Sequence, residues 1–463
     1  MDAGDAGGLG GHDHEARSWH DITSGLKHPV NHIFEQTPES MAAWCQARKM
    51  LPFRAKQVLE WVYEKGVADP GQMSNLSKLD REVLGREMTF LSGRVLLHQR
   101  ATDGTQKLLV EWDDSGPRAP GAADGPQFDK PIPLPLLAEQ KNIGDPSRQT
   151  ECVMIPSLQG TPARVGLRDE AADEDGFETV DTDEEAESHG RGVRVRGSAR
   201  PPRSGGVPMS TPRFTACISS QVGCPVGCRF CASGLGGLDA SLSAGRIVEQ
   251  VWRLARLPGV RRITNVVFMG MGEPRSNLGS GVPAVRVLTA PWGMGISARK
   301  VTISTVGLPK AIDKLADQLD LPVTLALSLH APNDELRRKL IPWAEYTTIK
   351  DLLGACQRWF EKTGREITLE YTLLRGVNDR VEHAEQLAQV ARTLRANVNL
   401  IRYNEVKGMP FERPQTEDVR KFQEVLRAKF VNAHIRASRG RDIAAACGQL
   451  RHEAAAGVDG SGA

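Results

Sequence analysis

Cys224, Cys228 and Cys231 stand at C-x3-C-x2-C spacing, directly after the apolar, β-prone run 214–218. Three thiolates on one tight loop can hold three irons of a cubane [4Fe–4S] cluster, which a fourth cysteine normally completes. With no fourth thiolate, one iron stays open to a substrate, and S-adenosylmethionine (SAM) chelates such an iron through its amino and carboxylate groups. Gly223, Pro225 and Gly227 let the backbone turn sharply around a cluster of this kind. A structural zinc loop is the alternative, but zinc sites close with four ligands, usually on paired C-x2-C knuckles.

A second set of polar residues follows other β-prone runs. Met269-Gly270-Met271-Gly272-Glu273-Pro274 closes one of them. Its glycines let a ligand lie against the backbone, and Glu273 or the neighbouring carbonyls could bind an ammonium group. Ser304-Thr305, Ser328-Leu329-His330 and Asn404 end three more runs. Hydroxyls and amides there suit the ribose and carboxylate of SAM, although strand-end Ser and Asn also commonly cap helices. Further on, Arg436-Ala-Ser-Arg439-Gly440-Arg441 leads into Asp442-Ile-Ala-Ala-Ala-Cys447-Gly-Gln-Leu450. A lone cysteine is usually a buried hydrophobe; the arginines before Cys447 instead predict a lowered thiol pKa.

The elements that must position these residues alternate from Phe214 onwards. Strands are predicted at 214–219, 263–270, 300–305, 323–329, 366–374 and 398–403, with helices at 243–257, 308–318, 348–362 and 380–396. Six βα units in succession imply an α/β fold: a parallel sheet with helices on one side, curled into an incomplete (β/α)6 barrel over 214–450. Chemistry in such barrels sits at the C-terminal strand ends. The motifs fall there.

Upstream, Thr37-Pro38-Glu39-Ser40 reads as a helix start, with Thr as N-cap and Pro at the first helical position. Between Phe53 and Tyr63 apolar residues recur at helical spacing, with Arg54 and Lys56 off that face. Residues 37–97 are therefore expected to form a small helical accessory domain, either a packing module or an RNA-contacting one. Residues 1–36 read as a disordered tail, and 451–463 as a tail. The β-prone runs 107–112 and 151–155 belong to a β-rich region, 98–213, broken by inserts at 114–148 and 157–211. The first insert is dense in Pro, Gly and Asp. The second carries eleven acidic and no basic residues over 169–187, then five arginines from Arg191 to Arg203. Low hydrophobicity with blocks of like charge predicts disorder.

At 463 residues, 40% hydrophobic and 25% charged, the chain has the composition of a soluble globular protein with one large domain and a small one. It lacks the run of roughly 18 apolar residues that a membrane span requires. The first fifteen residues lack the basic-then-apolar pattern of a signal. Eight cysteines, three at iron–sulfur spacing, predict a reducing cytoplasm. Net charge is +2, but without the acidic run the remainder stands at +13. A basic body suits phosphate-backbone binding, and many proteins that bind no nucleic acid share it.

Four motifs together make the chain resemble the RlmN/Cfr family of radical-SAM adenosine methyltransferases. They are Cys217-Ile-Ser-Ser-Gln-Val-Gly-Cys224, Met-Gly-Met-Gly-Glu273-Pro, Ser328-Leu-His-Ala-Pro-Asn-Asp334 and Ala-Ala-Cys447-Gly-Gln-Leu. The likeness runs from about Phe53 to Leu450 apart from the inserts, and Phe230 resembles the aromatic that precedes the last cluster cysteine in radical-SAM enzymes. It implies one [4Fe–4S] cluster on Cys224, Cys228 and Cys231. It also implies SAM contacts at Gly272, Glu273, Ser304, Ser328, Leu329, His330 and Asn404. The implied substrate is an adenosine in the peptidyl-transferase region of 23S rRNA, with tRNA added in the RlmN branch. A reductant such as flavodoxin or ferredoxin is the implied electron donor.

The resemblance also gives roles to the remaining sulfurs. Cys447 would take a methyl from one SAM by polar displacement. A radical from a second SAM would activate that methyl, which adds to C2 of the base. Cys217 would then form a disulfide with Cys447 and release the product; on spacing alone Cys217 reads as a buried strand cysteine. Glu151-Cys-Val-Met-Ile-Pro156 matches the family's proton-acceptor strand, which makes Glu151 the acceptor. Asn404 departs from the family in following Ile-Arg-Tyr rather than Ile-Pro-x, and Arg275 stands where a leucine is usual. Cys45, Cys152 and Cys356 match no family role and are expected to pack. Methylation at C8, as in the Cfr branch, is the alternative reaction. An RNA-binding protein with a structural cluster is the alternative class, against which the open coordination position and the strand-end motifs argue.

Overall fold

The computed structural model describes residues 26–113, 144–157 and 212–450. The tail expected after Leu450, the first 25 residues and most of both inserts lie outside the described residues. Among the described residues, no helix is long and apolar enough to cross a membrane.

Three helices come first: α1 (Pro38–Ala47), α2 (Arg54–Tyr63) and α3 (Lys78–Glu87). Thr37 and Ser40 cap α1 reciprocally, each hydroxyl accepting from the other residue's amide at 3.2 and 2.9 Å, with Pro38 at the first helical position. Ser77 caps α3 at 3.1 Å. Ala55, Val58, Leu59 and Val62 form the buried stripe of α2.

Two expectations for this end need correction. The tail cannot reach residue 36, because Ile33 and Phe34 are fully buried. Ile33 N donates to the Thr89 carbonyl at 2.8 Å and His32 meets Glu249 at 3.1 Å, so the segment is held by partners far along the chain. The helical region ends before 97, since strand β1 (Gly93–Arg100) already pairs antiparallel with β2 (Gln106–Trp112) from Gly93 onwards. The first insert is also shorter than expected: Asp145 N donates to Glu111 Oε1 at 2.7 Å, and Pro146–Arg148 form a 3-10 turn against the sheet.

Among the described residues, all strands but two join one ten-stranded sheet. After β1 and β2 come β3 (Gln149–Pro156), β4 (Phe214–Cys217), β7 (Asn265–Phe268), β8 (Val301–Thr305), β9 (Thr324–Ser328), β10 (Ile367–Leu373), β11 (Ala396–Arg402) and β12 (Ala433–Arg436), in that spatial order. A hairpin of β5 (Gln221–Gly223) and β6 (Leu238–Ser241) forms the second sheet. Pairing from β4 through β12 is parallel and from β1 through β4 antiparallel. The six expected parallel strands are present, each within three residues of its expected ends. Strand β12 is a seventh.

The sheet's two faces differ in chemistry. On β10, Ile367, Leu369, Tyr371 and Leu373 are fully buried, and Tyr371 lies 5.5 Å from Phe422 of the covering helix Thr416–Ala428. The opposite face, turned from the helices, aligns Ser328, Glu370, Asn399 and His434 through the parallel register. A barrel lumen filled with branched apolar layers would be a packed core. One faced with hydroxyl, carboxyl, amide and imidazole groups is a binding cavity.

Candidate active site

The cluster cysteines lie between β5 and β6. Gly223 turns the chain into this loop at φ 76°, where a Cβ would come within 2.1 Å of the Gly237 carbonyl oxygen. Cys224 N donates to that same oxygen at 2.7 Å, and Arg229 N donates to the Leu340 carbonyl at 3.0 Å. Burial pushes the thiols of Cys224, Cys228 and Cys231 up, to about 12 for Cys224. Proton donors are nevertheless aimed at the sulfurs. The Val226 and Gly272 amides meet Cys224, and the Ser233 amide and hydroxyl with the Gly234 amide meet Cys231. Amide donors and the nearby Arg337 charge suit thiolates in a cluster. Three cysteines with no fourth protein ligand suit a cubane with one open iron better than a closed four-ligand zinc site. The residues fit a cubane.

Gly272 stands beside this loop at φ 103°, where a Cβ would lie 2.7 Å from Gln221 Cβ and Ser220 Oγ. Glu273 is 3% exposed and its carboxylate is already engaged: Oε1 accepts from Arg275 N at 3.0 Å and Oε2 from Val306 N at 2.9 Å. Burial raises its pKa against the pull of Arg275 and those amides. The carboxylate therefore ties the Gly-rich turn to the end of β8. Arg275, at the position where the sequence departs from the family, is buried and donates to the Leu308 carbonyl at 3.0 Å, so the turn keeps its place.

Ser304 and Ser328 meet at 3.3 Å across β8 and β9. His330 adopts φ 55° with Nδ1 accepting from Thr372 N at 3.0 Å; burial and then Arg337 pull its pKa down to about 3, so the ring is neutral. Its ring meets Phe230 edge-to-face with centroids 5.0 Å apart, which joins the cluster loop to the end of β9. Leu329 is fully buried beside it. Asn404 is 2% exposed; its Nδ2 donates to the Cys447 carbonyl at 3.1 Å and its Oδ1 accepts from Arg413 at 3.1 Å. The altered flank does not displace it, because Arg402 is drawn off to the Pro414 carbonyl at 2.8 Å.

Cys217 ends β4 and Cys447 follows a 3-10 turn, Arg441–Ile443; both are free thiols. Burial pushes the Cys217 thiol up to about 12, and Cys447 nearby adds to that rise. Cys447 is exposed at its surface, yet surrounding protein pushes its thiol up to about 11. The expected lowering is thus wrong in sign. Of the arginines preceding Cys447 in sequence, Arg436 is the one that pulls it down, and desolvation outweighs it. Arg436 also pulls down Cys217 and Glu370.

Glu151 lies on β3, 8% exposed, with Lys107 Nζ at 2.7 Å from Oε1. Ser219 Oγ donates to the Glu151 carbonyl at 2.6 Å. Sequence reasoning missed Lys107 and Glu370; it had singled out Arg436 among the arginines before Cys447, and Arg436 does act on that thiol. Glu370 shows as a charge inside an apolar-alternating strand, a signal that was available; Lys107 shows none. Cys45, Cys152 and Cys356 are fully buried in the core.

A family model described as the radical SAM superfamily matches residues 218–388, and one described as the ribosomal RNA large subunit methyltransferase N-terminal domain matches residues 31–89. A probable dual-specificity RNA methyltransferase RlmN of Gloeobacter violaceus is 47% identical over 425 residues, 92% of this chain and 96% of its own. The corresponding protein of Rhodopirellula baltica is 35% identical over 422 residues, 91% of each chain. The crystal structure of a radical SAM methyltransferase from Sphaerobacter thermophilus superposes with a TM-score of 0.70 at 33% identity, covering 91% of this chain and all of that one. Likeness over nine-tenths or more of both this chain and its relatives, with both family models matched, places the chain in the RlmN family of radical SAM enzymes.

Proposed function

We propose that this radical SAM RNA methyltransferase methylates C2 of an adenosine in 23S rRNA and in tRNA, with Cys447 as the methyl carrier. The observation that carries the reading is that Cys217, at the end of β4, and Cys447, whose segment is tied to the cluster loop through Ala232, lie near enough for Cys447 to raise the Cys217 thiol, since a single methyl transfer needs neither thiol. Cys224, Cys228 and Cys231 would hold the [4Fe–4S] cluster. SAM would lie along Gly272, Glu273, Ser304, Ser328, Leu329, His330 and Asn404. With the Glu273 carboxylate engaged by two amides, main-chain carbonyls of that turn would meet the ammonium group.

When bound, the cluster and SAM supply the radical chemistry that removes a hydrogen atom from a methyl group. The protein's own residues do the rest. Cys447 must lose its proton to accept a methyl, and Arg436 favours the thiolate. Glu151, held by Lys107, would take the proton from the base carbon. The Cys217 sulfur would then attack the Cys447 sulfur. The S–S bond forms as the S–C bond to the base breaks, the electron pair leaves with the carbon, and a proton completes the methyl group. A low-potential carrier such as flavodoxin or ferredoxin would deliver electrons, and the chemistry fits a reducing cytoplasm.

Cys217→Ala tests this. It should still form the bond to RNA and then stall, giving a protein–RNA species that survives denaturing gels and is absent from Cys217→Ala/Cys447→Ala. Normal turnover of Cys217→Ala, or methylation by Cys447→Ala, would sink the two-cysteine reading. Mass spectrometry of nuclease-digested rRNA should find 2-methyladenosine; 8-methyladenosine would overturn the regiochemistry.

A further inference from the structure

The segment that carries Cys447 is anchored at both ends. Downstream, Ala232 N donates to the Gly448 carbonyl at 2.8 Å and Ser233 Oγ to the Leu450 carbonyl at 2.7 Å, so the cluster loop holds that side. Upstream, the turn joining β1 to β2 grips it. Asp103 Oδ2 accepts from Gly440 N and Asp442 Oδ2 accepts from Thr102 N, each at 2.9 Å. Lys107 Nζ donates to the Ala444 carbonyl at 3.2 Å while paired with Glu151 at 2.7 Å. Lys107 is 6% exposed.

Ala444 is strained. It adopts φ 50°, ψ 42°, a left-handed conformation that disfavours any residue with a Cβ and persists where surroundings over-determine it. Its carbonyl is the one that Lys107 captures. The ammonium group thus stabilises a backbone conformation three residues before the reactive sulfur, and does so from a side chain fixed to Glu151.

We propose that Lys107 is a positioning residue for the methyl carrier: by holding the strained Ala444 carbonyl and the Glu151 carboxylate together, it sets the Cys447 sulfur in register with the barrel lumen. This rests on the reading of Cys447 as the carrier. Lys107 touches neither the methyl group nor the base. Its effect appears in how often the sulfur occupies its working position.

The test uses the full-length, cluster-reconstituted enzyme with SAM and no RNA, following S-methylcysteine at position 447 by mass spectrometry. Lys107→Met should slow its formation about tenfold, the loss of one charge-assisted hydrogen bond, with the dissociation constant for SAM unchanged. Hydrogen exchange over 440–448 should quicken. Lys107→Arg should retain most of the rate. Lys107→Met/Ala444→Gly should recover most of it, because glycine takes positive φ without strain. If Lys107→Met does not fold, Asp103→Asn loosens the same segment at Gly440 and should slow methyl acceptance several-fold with the same change in exchange. A wild-type rate and unchanged exchange in either variant would overturn the role of Lys107 and leave the carrier reading standing. Failure of Ala444→Gly to rescue would also overturn it. Absence of S-methylcysteine from the wild-type enzyme would instead overturn the carrier reading.

Discussion

Replacing Glu249 by glutamine should loosen the joint between the N-terminal segment and the barrel, by an amount that depends on pH. Glu249 is fully buried on the helix Ala244–Leu254. Its Oε2 accepts from Ser92 N at 2.8 Å, Ser92 Oγ at 2.9 Å and His32 Nε2 at 3.1 Å, and its Oε1 from Gly93 N at 3.1 Å and Arg253 Nε at 2.9 Å. Burial alone would raise the carboxyl, but Arg253 and then His32 and the Ser92 amide lower it from 4.5 to about 2. A depressed carboxyl contributes stability above its unfolded pKa and loses it as pH falls through the folded value. At ~1.4 kcal/mol per unit, Glu249 contributes about 3 kcal/mol at pH 7 and about 1 kcal/mol at pH 3. Urea unfolding of the cluster-free protein and of Glu249→Gln should therefore show a gap that closes as pH drops. The amide also leaves backbone donors facing an N–H, which adds roughly 1–3 kcal/mol at either pH. A gap equal at pH 7 and pH 3 would refute the charge argument and leave packing as the cause.

Three further outcomes are expected. Cys224→Ala should abolish the one [4Fe–4S] cluster per chain, read by iron content and absorbance; a retained redox-active cluster would remove the assignment. Asn404→Ala should weaken SAM binding about tenfold in calorimetry, since it deletes a buried amide that also steadies the Cys447 carbonyl. Replacing residues 160–208 with a short Gly/Ser linker should leave melting temperature and methylated product unchanged, and RNA affinity at low salt equal or higher, because it removes the acidic run; loss of folding would show that this stretch packs.

Much of the fold and the rim of the site was legible because short-range physics writes them locally. The C-x3-C-x2-C loop is a matter of spacing, and strands such as Thr324–Ser328 announce themselves through an apolar run that ends in a polar residue. What escaped depends on contacts distant in sequence. Ile33 and Phe34 sit in a stretch of polar and turn-forming residues, and their burial follows from the partner His32 finds in Glu249. Strand β12 has four residues, too few for any period to register. The Cys447 thiol was read from three arginines adjacent in sequence, whereas the structure surrounds the sulfur with protein and leaves Arg436 to act on it. Lys107 looks like any charged residue on a half-polar strand until Ala444 is laid against it.

The grip of Lys107 on Ala444 also orders events in time. The two residues are 337 positions apart in the chain. At a synthesis rate of about 5–20 residues per second, the seat emerges roughly 17 to 67 seconds before the loop that fills it. Throughout that interval β1 through β12 can pair, but the loop that presents the proposed carrier Cys447 has not been made. On that reading, a nascent chain holds the seat before it holds the sulfur, and competence waits on the docking of residues 440–448.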